Sequence, residues 1–219
     1  MKRCIGSLAL LALAASAVQA HFVWIVPVKD EALVLFSDSL EPDNLDLLKK
    51  IAQTQWFMRR ADGKTESLKW AEAKEAPVLK AGSGPCQLGG VCQYGVIQKG
   101  TEPFLLNYYA SALVGCPVQS APERFCEAWD KLPLQVVPVK SAAGKFSILW
   151  QGKPLPDAEV ALVVPGKEKT IIAKTDASGA VSLSLEGSSN GLDPSDQGDV
   201  PRDQRRRVSL RFRVVESAP

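Results

Sequence analysis

Short apolar runs rich in β-branched residues recur along most of this chain, separated by turn residues, and that grammar predicts strands. His21 to Val28 and Ala32 to Phe36 are the first two runs, and Val28-Lys29-Asp30-Glu31 between them fits a hairpin connection. Ser37 to Asp43 is a loop of cap and turn residues. Asn44 to Ala52 then carries Leu45, Leu48 and Ile51 on one face, which predicts one short helix. Gln55–Arg59 and Thr65–Trp70 read as strands joined through Asp62-Gly63, a pair favoured in tight hairpin turns. Val91–Ile97 and Phe104–Tyr109 are two more. The glycine-rich section from Ala81 to Gly90 lacks the Gly-Lys-Ser/Thr ending of a phosphate loop and is expected to be a surface loop. Residues 110–133 show little periodicity and are expected to form another.

Extended structure returns at Leu134–Val139, and a short linker-like stretch, Ser141–Gly144, follows it. Lys145–Trp150, Ala158–Val164, Lys169–Lys174 and Ala180–Leu185 are regularly spaced short strands with turn signals between them, the pattern of a β-sandwich. The expected architecture is all-β: two β-sandwich modules with one short helix, a β-rich domain over 21–140 and an Ig-like sandwich over 141–187. Residues 188–219 break the pattern. From Thr175 onward there is no lysine, and six of the chain's ten arginines fall between Arg202 and Arg213. Two readings stay open: a largely disordered segment with a possible last strand over 208–215, or a reading frame shifted near Gly187.

Residues 1–20 have the parts of a secretory signal: Lys2 and Arg3, an apolar run from Ile5 to Val18, and small residues at Val18 and Ala20. The apolar run is short for a membrane anchor and no stop-transfer pattern follows, so cleavage after Ala20 and a periplasmic or secreted location are expected, with no membrane insertion afterwards. Lys2 and Arg3 are two of the 26 basic residues, so their loss matches the remainder to the 24 acidic ones. A balanced surface is not that of a nucleic-acid binder. Four cysteines remain after the signal: Cys86, Cys92, Cys116 and Cys126. An even number in an exported chain favours disulfides, and local pairing, Cys86–Cys92 and Cys116–Cys126, is expected because each pair flanks a Gly- or Pro-containing loop. Their spacing does not suit a zinc cluster.

The chemistry on offer is sparse. His21 is the only histidine, so triad mechanisms have one candidate base, and no nucleophile-elbow or zincin motif is present. Enzyme activity is not expected. Cleavage after Ala20 would instead give His21 a free α-amine beside its imidazole, two nitrogens suited to one divalent transition metal. Further ligands would come from Asp38, Glu41 or Asp43 in the following loop, from Met58, a backbone amide or water. Of the five tryptophans, Trp24, Trp56, Trp70 and Trp150 fall in expected strands, while Trp129 lies in a loop and is expected to be the most exposed.

Several stretches carry a resemblance. His21-Phe-Val-Trp-Ile-Val-Pro behind a signal resembles the start of a family of exported bacterial proteins of unknown function, described in places as periplasmic nickel/cobalt-uptake accessory proteins. Phe36-Ser-Asp-Ser-Leu-Glu-Pro-Asp-Asn44, Cys92-Gln-Tyr-Gly95 and Pro103-Phe-Leu-Leu-Asn-Tyr-Tyr109 look like its planctomycete-type branch. Leu134-Gln-Val-Val-Pro138, Gly152-Lys-Pro-Leu-Pro-Asp-Ala-Glu-Val160 and Thr175-Asp-Ala-Ser-Gly179 are similar to its second half, related to transthyretin-like and carboxypeptidase-regulatory-like sandwiches. The resemblance implies Ni, Co or Cu as the metal and a metal-uptake or envelope protein as partner. The alternative expectation is a metal-free module that binds a protein or polysaccharide of the cell envelope.

Overall fold

In this computed structural model the described residues are 21–98, 103–140, 142, 144–163, 171–183, 209–212 and 216–217. The expected signal and most of the atypical tail lie outside them. The first unit begins with a hairpin of β1 (Phe22–Val28) and β2 (Glu31–Ser37). Val28 pairs with Glu31, so Lys29 and Asp30 make the turn, and Lys29 takes φ 54° there. A 3-10 helix over Leu45–Ile51, capped by Asn44, replaces the expected helix. Then come β3 (Gln55–Arg60), β4 (Thr65–Leu68), β5 (Val78–Lys80), β6 (Cys86–Gln98) and β7 (Pro103–Val114).

These strands form two antiparallel sheets, ordered β1-β2-β5 and β7-β6-β3-β4. The sheets face one another because strand alternation puts one apolar set of each on the shared side. Ile25, Val34 and Phe36 from the small sheet meet Trp56, Met58, Leu88 and Val114 from the large one. The small sheet is covered on its other face as well, where Trp24, Val26 and Leu35 pack with Ala76.

The expected surface loop at 81–90 is corrected at its second half. Cys86 to Gly90 belong to the 13-residue β6, paired with β3 and β7 on either side. Gly89 and Gly90 weaken strand propensity, yet each is the flat spot an indole needs. A Cβ on Gly90 would lie 2.4 Å from the Trp56 ring on the inner face, and one on Gly89 would lie 2.8 Å from Trp129 on the outer face. Residues 115–133 form a strap over that outer face, with 3-10 turns at Val118–Ser120 and Glu123–Cys126. The strap buries Phe125, Trp129 and Leu132. The expectation that Trp129 is exposed is therefore wrong: it is 2% accessible, sits 5.1 Å under the Arg59 guanidinium and donates its indole N–H to Thr65 Oγ1.

The second unit comprises β8 (Leu134–Pro138), β9 (Lys145–Trp150), β10 (Lys153–Pro154), β11 (Glu159–Val163), β12 (Ile171–Lys174), β13 (Ala180–Ser182) and β14 (Ser209–Phe212). β8, at the end of the 21–140 stretch, pairs with β9 of this unit. β9 also pairs with β10 and β13, while β11 lies between β12 and β14. Leu134, Ile148, Val160, Leu162, Val181 and Leu183 make its core. The Thr175–Gly179 motif is a fastener: the buried Thr175 hydroxyl donates to Leu155 O and accepts from the Ala158 N–H. β14 falls within the expected last strand at 208–215; a further short strand, β15 (Glu216–Ser217), pairs with β7. The molecule is all-β and sandwich-like, with 3-10 turns as its only described helices.

Candidate functional site

His21 stands directly before β1, where Phe22 pairs with Ser37 at the far end of β2. Its ring lies 5.4 Å from that of Phe36. Phe36 in turn touches Tyr94 of β6 and Tyr108 of β7, and those two meet edge to face at 5.5 Å. The aromatic group carries the first strand onto the large sheet and fixes one side of the imidazole.

The other side is fixed by Asp43. His21 Nε2 is 3.1 Å from Asp43 Oδ2. The second carboxylate oxygen, Oδ1, accepts the Asn44 N–H at 2.7 Å, and Asn44 is itself held as the cap of the 3-10 helix by accepting the Asp46 N–H. The Asn44 N–H first, and His21 second, keep the Asp43 carboxyl below the usual carboxylate range. An ionised carboxylate only accepts hydrogen bonds, so Nε2 is the donor. In the neutral ring the proton therefore sits on Nε2 and the Nδ1 lone pair, nearer the backbone, is bare.

Asp38 and Glu41, the other expected carboxylates, belong to the same loop as Asp43. Asp38 is half-buried and Glu41 exposed, and the loop turns so that Asp43 meets the ring. Ser37 and Ser39 shape that turn: Ser37 Oγ accepts the Ser39 N–H, and Ser39 Oγ accepts the Glu41 N–H. Met58 is corrected as a ligand candidate, since its 3% accessible side chain belongs to the core. Among the described residues no group of three or more His, Cys, Asp or Glu side chains is placed to hold a metal.

The cysteines overturn one pairing. All four are free thiols in this structure. Cys86 and Cys92 lie on the same straight part of β6, six residues apart, which is about 20 Å at strand rise. A disulfide needs Cα atoms within roughly 7 Å, so the expected Cys86–Cys92 bond is excluded. Both are fully buried, and burial pushes both thiols up in pKa. Cys116 and Cys126 are half-buried.

An open groove of about 710 Å³ runs beside the β3–β4 turn, with Arg60, Lys64, Glu66 and Ser83 among its walls. Its carboxylates are in ion pairs, Glu66 with Arg60 at 3.7 Å and Asp62 with Lys64 at 3.3 Å. No described helix is long and apolar enough to cross a membrane.

Fold and site define an all-β sandwich-like protein with a half-buried, carboxylate-held histidine at the head of its first strand. Comparison with family models, curated proteins and solved structures gave no match.

Proposed function

We propose that the mature protein is an exported, non-enzymatic β-sandwich protein that binds a divalent transition metal, Cu, Ni or Co, through its terminal histidine. The observation behind this reading is the Asp43 contact to Nε2. Histidine ligands commonly give their second ring nitrogen to a carboxylate, which sets the tautomer and raises ligand basicity. Here that arrangement leaves Nδ1 available on the same residue as the α-amine that cleavage after Ala20 releases. Amine and Nδ1 form a six-membered chelate, a nitrogen pair that suits Cu(II) or Ni(II). Asp43 orients the ligand, and water fills the remaining positions.

The test is a titration of the mature protein with Cu(II) and with Ni(II), beside a form whose α-amine on His21 is acetylated. One-to-one binding is expected for the mature protein, weakened at least tenfold by acetylation because the amide nitrogen it leaves is no longer a free amine donor. Equal binding by both forms, or by neither, ends the reading.

A second reading, a metal-free module for an envelope protein or polysaccharide, has its own observation. Val96 and Leu105 face each other across β6 and β7, yet they are 70% and 39% accessible. An apolar cross-strand pair left open at a hairpin end suits a docking partner. Replacement of both by Thr would abolish capture of a specific envelope component under this reading, and would leave metal binding untouched.

A further inference from the structure

The two longest strands, β6 (Cys86–Gln98) and β7 (Pro103–Val114), outrun their neighbour. β3 pairs with β6 only from Cys86 to Val91, so beyond that point β6 and β7 continue as a two-stranded ribbon. One edge of the ribbon is closed by the chain itself, where β15 pairs Glu216 and Ser217 with Leu105 and Phe104. The other edge, on β6, is open among the described residues. Gln53 reaches it once, donating from Nε2 to Gln93 O at 3.1 Å. Tyr94 is then passed over by a shift of register, and from Gly95 to Gln98 no described strand lies alongside. No described atom stands within 4 Å of where a Cβ on Gly95 would be.

An open edge presents unpaired backbone donors and acceptors, and sheets ordinarily blunt it with a charge or a proline. β4, the opposite edge of the same sheet, carries Glu66, and β7 starts with Pro103. Gly95-Val96-Ile97-Gln98 has neither. The whole of β6 and β7 is free of Asp, Glu, Lys and Arg, in a chain of which 23% is charged. Val96 is 70% accessible and lies opposite Leu105, itself 39% accessible. A partner for this edge has to be an uncharged strand end with an apolar side chain at the matching position. The edge is itself such a strand. A two-fold axis normal to the sheet runs two copies antiparallel, keeps the same face up and brings no like charges together. Residues opposed in an antiparallel pair share a face, so the axis passes through a residue and its own copy. Placed at Val96, it lines up Leu105, Val96, Val96 and Leu105 in one apolar row across the joined sheet.

We propose that the Gly95–Gln98 edge pairs with the same edge of a second copy, extending the large sheet across a two-fold axis at Val96. This rests on the same exposed pair as the metal-free reading and names a second copy as its occupant. The contact is short, at the small end of specific interfaces, so the dimer is weak and fills only toward millimolar protein.

Sedimentation velocity of the mature protein, from micromolar to millimolar concentration, tests the pairing, with EDTA present to remove any metal bridge between copies. The sedimentation coefficient is expected to rise with concentration towards that of a dimer. Val96→Lys sets two ammonium groups opposite each other and is expected to hold the monomer value throughout. Oxidation by glutathione disulfide, with Cys116 and Cys126 both changed to Ser, locates the axis. Directly opposed residues have Cβ atoms about 4.5–5.5 Å apart, so Val96→Cys links two chains into a covalent dimer. Leu105→Cys does not, because three strand spacings of about 4.8 Å separate its two copies. A native circular dichroism spectrum reports that each variant is folded. A monomer at every concentration, a dimer that Val96→Lys leaves intact, or equal linking by Val96→Cys and Leu105→Cys overturns the proposal. A protein that stays monomeric yet captures an envelope component through Val96 and Leu105 overturns the dimer alone and keeps the metal-free reading.

Discussion

Asp43 decides where the proton on His21 sits, and its own ionisation is favoured by the Asn44 N–H before His21 contributes anything. A carboxyl depressed in the folded state supports that state above its unfolded pKa and loses the contribution as pH falls through its folded value. The contact is therefore expected to persist through neutral pH and to fail below 3.8, the ordinary value. Carbon NMR titration of the Asp43 carboxyl should give a midpoint under that value, and Asn44→Pro, which removes the N–H, should move it upward. If the proposed metal site is correct, Asp43→Asn weakens Cu(II) binding by about 10–100-fold, as loss of an outer-sphere partner commonly does. Calorimetric titration of the mature variant measures it. The sequence showed His21 and a loop of three carboxylates. Which carboxylate meets the ring is decided by the Ser37 and Ser39 turns and the Asn44 cap, short polar contacts that leave no periodic trace.

At the scale of elements, alternation was enough to place the hairpins, because strands half-buried in a sandwich repeat every two residues. It failed where burial is two-sided or aperiodic. Cys86 to Gly90 reads as a loop by composition, since glycine is the mark of a turn; as a strand it needs the indoles of Trp56 and Trp129, one from a neighbouring strand and one from a strap forty residues away. The strap itself has no helical or strand period, yet it buries Phe125, Trp129 and Leu132. Its fastening depends on Arg59, a cation on the outer face of β3 with desolvation the first cause lowering its pKa. Arg59→Met keeps much of the bulk but leaves Gln87 Oε1 and two carbonyls without their donor. A loss of about 3 kcal/mol is expected, seen as a lower urea midpoint, with quenching of Trp129 fluorescence by iodide increased before global unfolding.

For the whole molecule, the all-β plan was legible because every described strand pairing is antiparallel and local turns carry Gly, Asp or Pro. The join between the units was less so. Leu134–Pro138 follows the strap without a break and reads as the close of the first unit, but its hydrogen bonds go to β9. Tyr109 of β7 crosses in the opposite sense, packing on the second core with its ring 5.8 Å from Trp150. Such a side chain couples the units through one aromatic contact. Tyr109→Ala is expected to cost about 2 kcal/mol, and hydrogen exchange should show the loss concentrated in β8 and β9 rather than in β3.

Gly90 and Trp56 have a consequence for how this sequence can change. At 2.4 Å there is no room for even one methyl group between them, so Gly90→Ala alone must push the indole out of its rotamer or bend β6, at about 2 kcal/mol. Trp56→Leu alone leaves a void between Gly90 and Trp70, whose ring lies 6.1 Å from that of Trp56. Made together, the two changes should cost less than their sum, a positive coupling of 1 kcal/mol or so in a double-mutant cycle. Each residue by itself is costly to change, and the less costly path away from this pair changes both positions together.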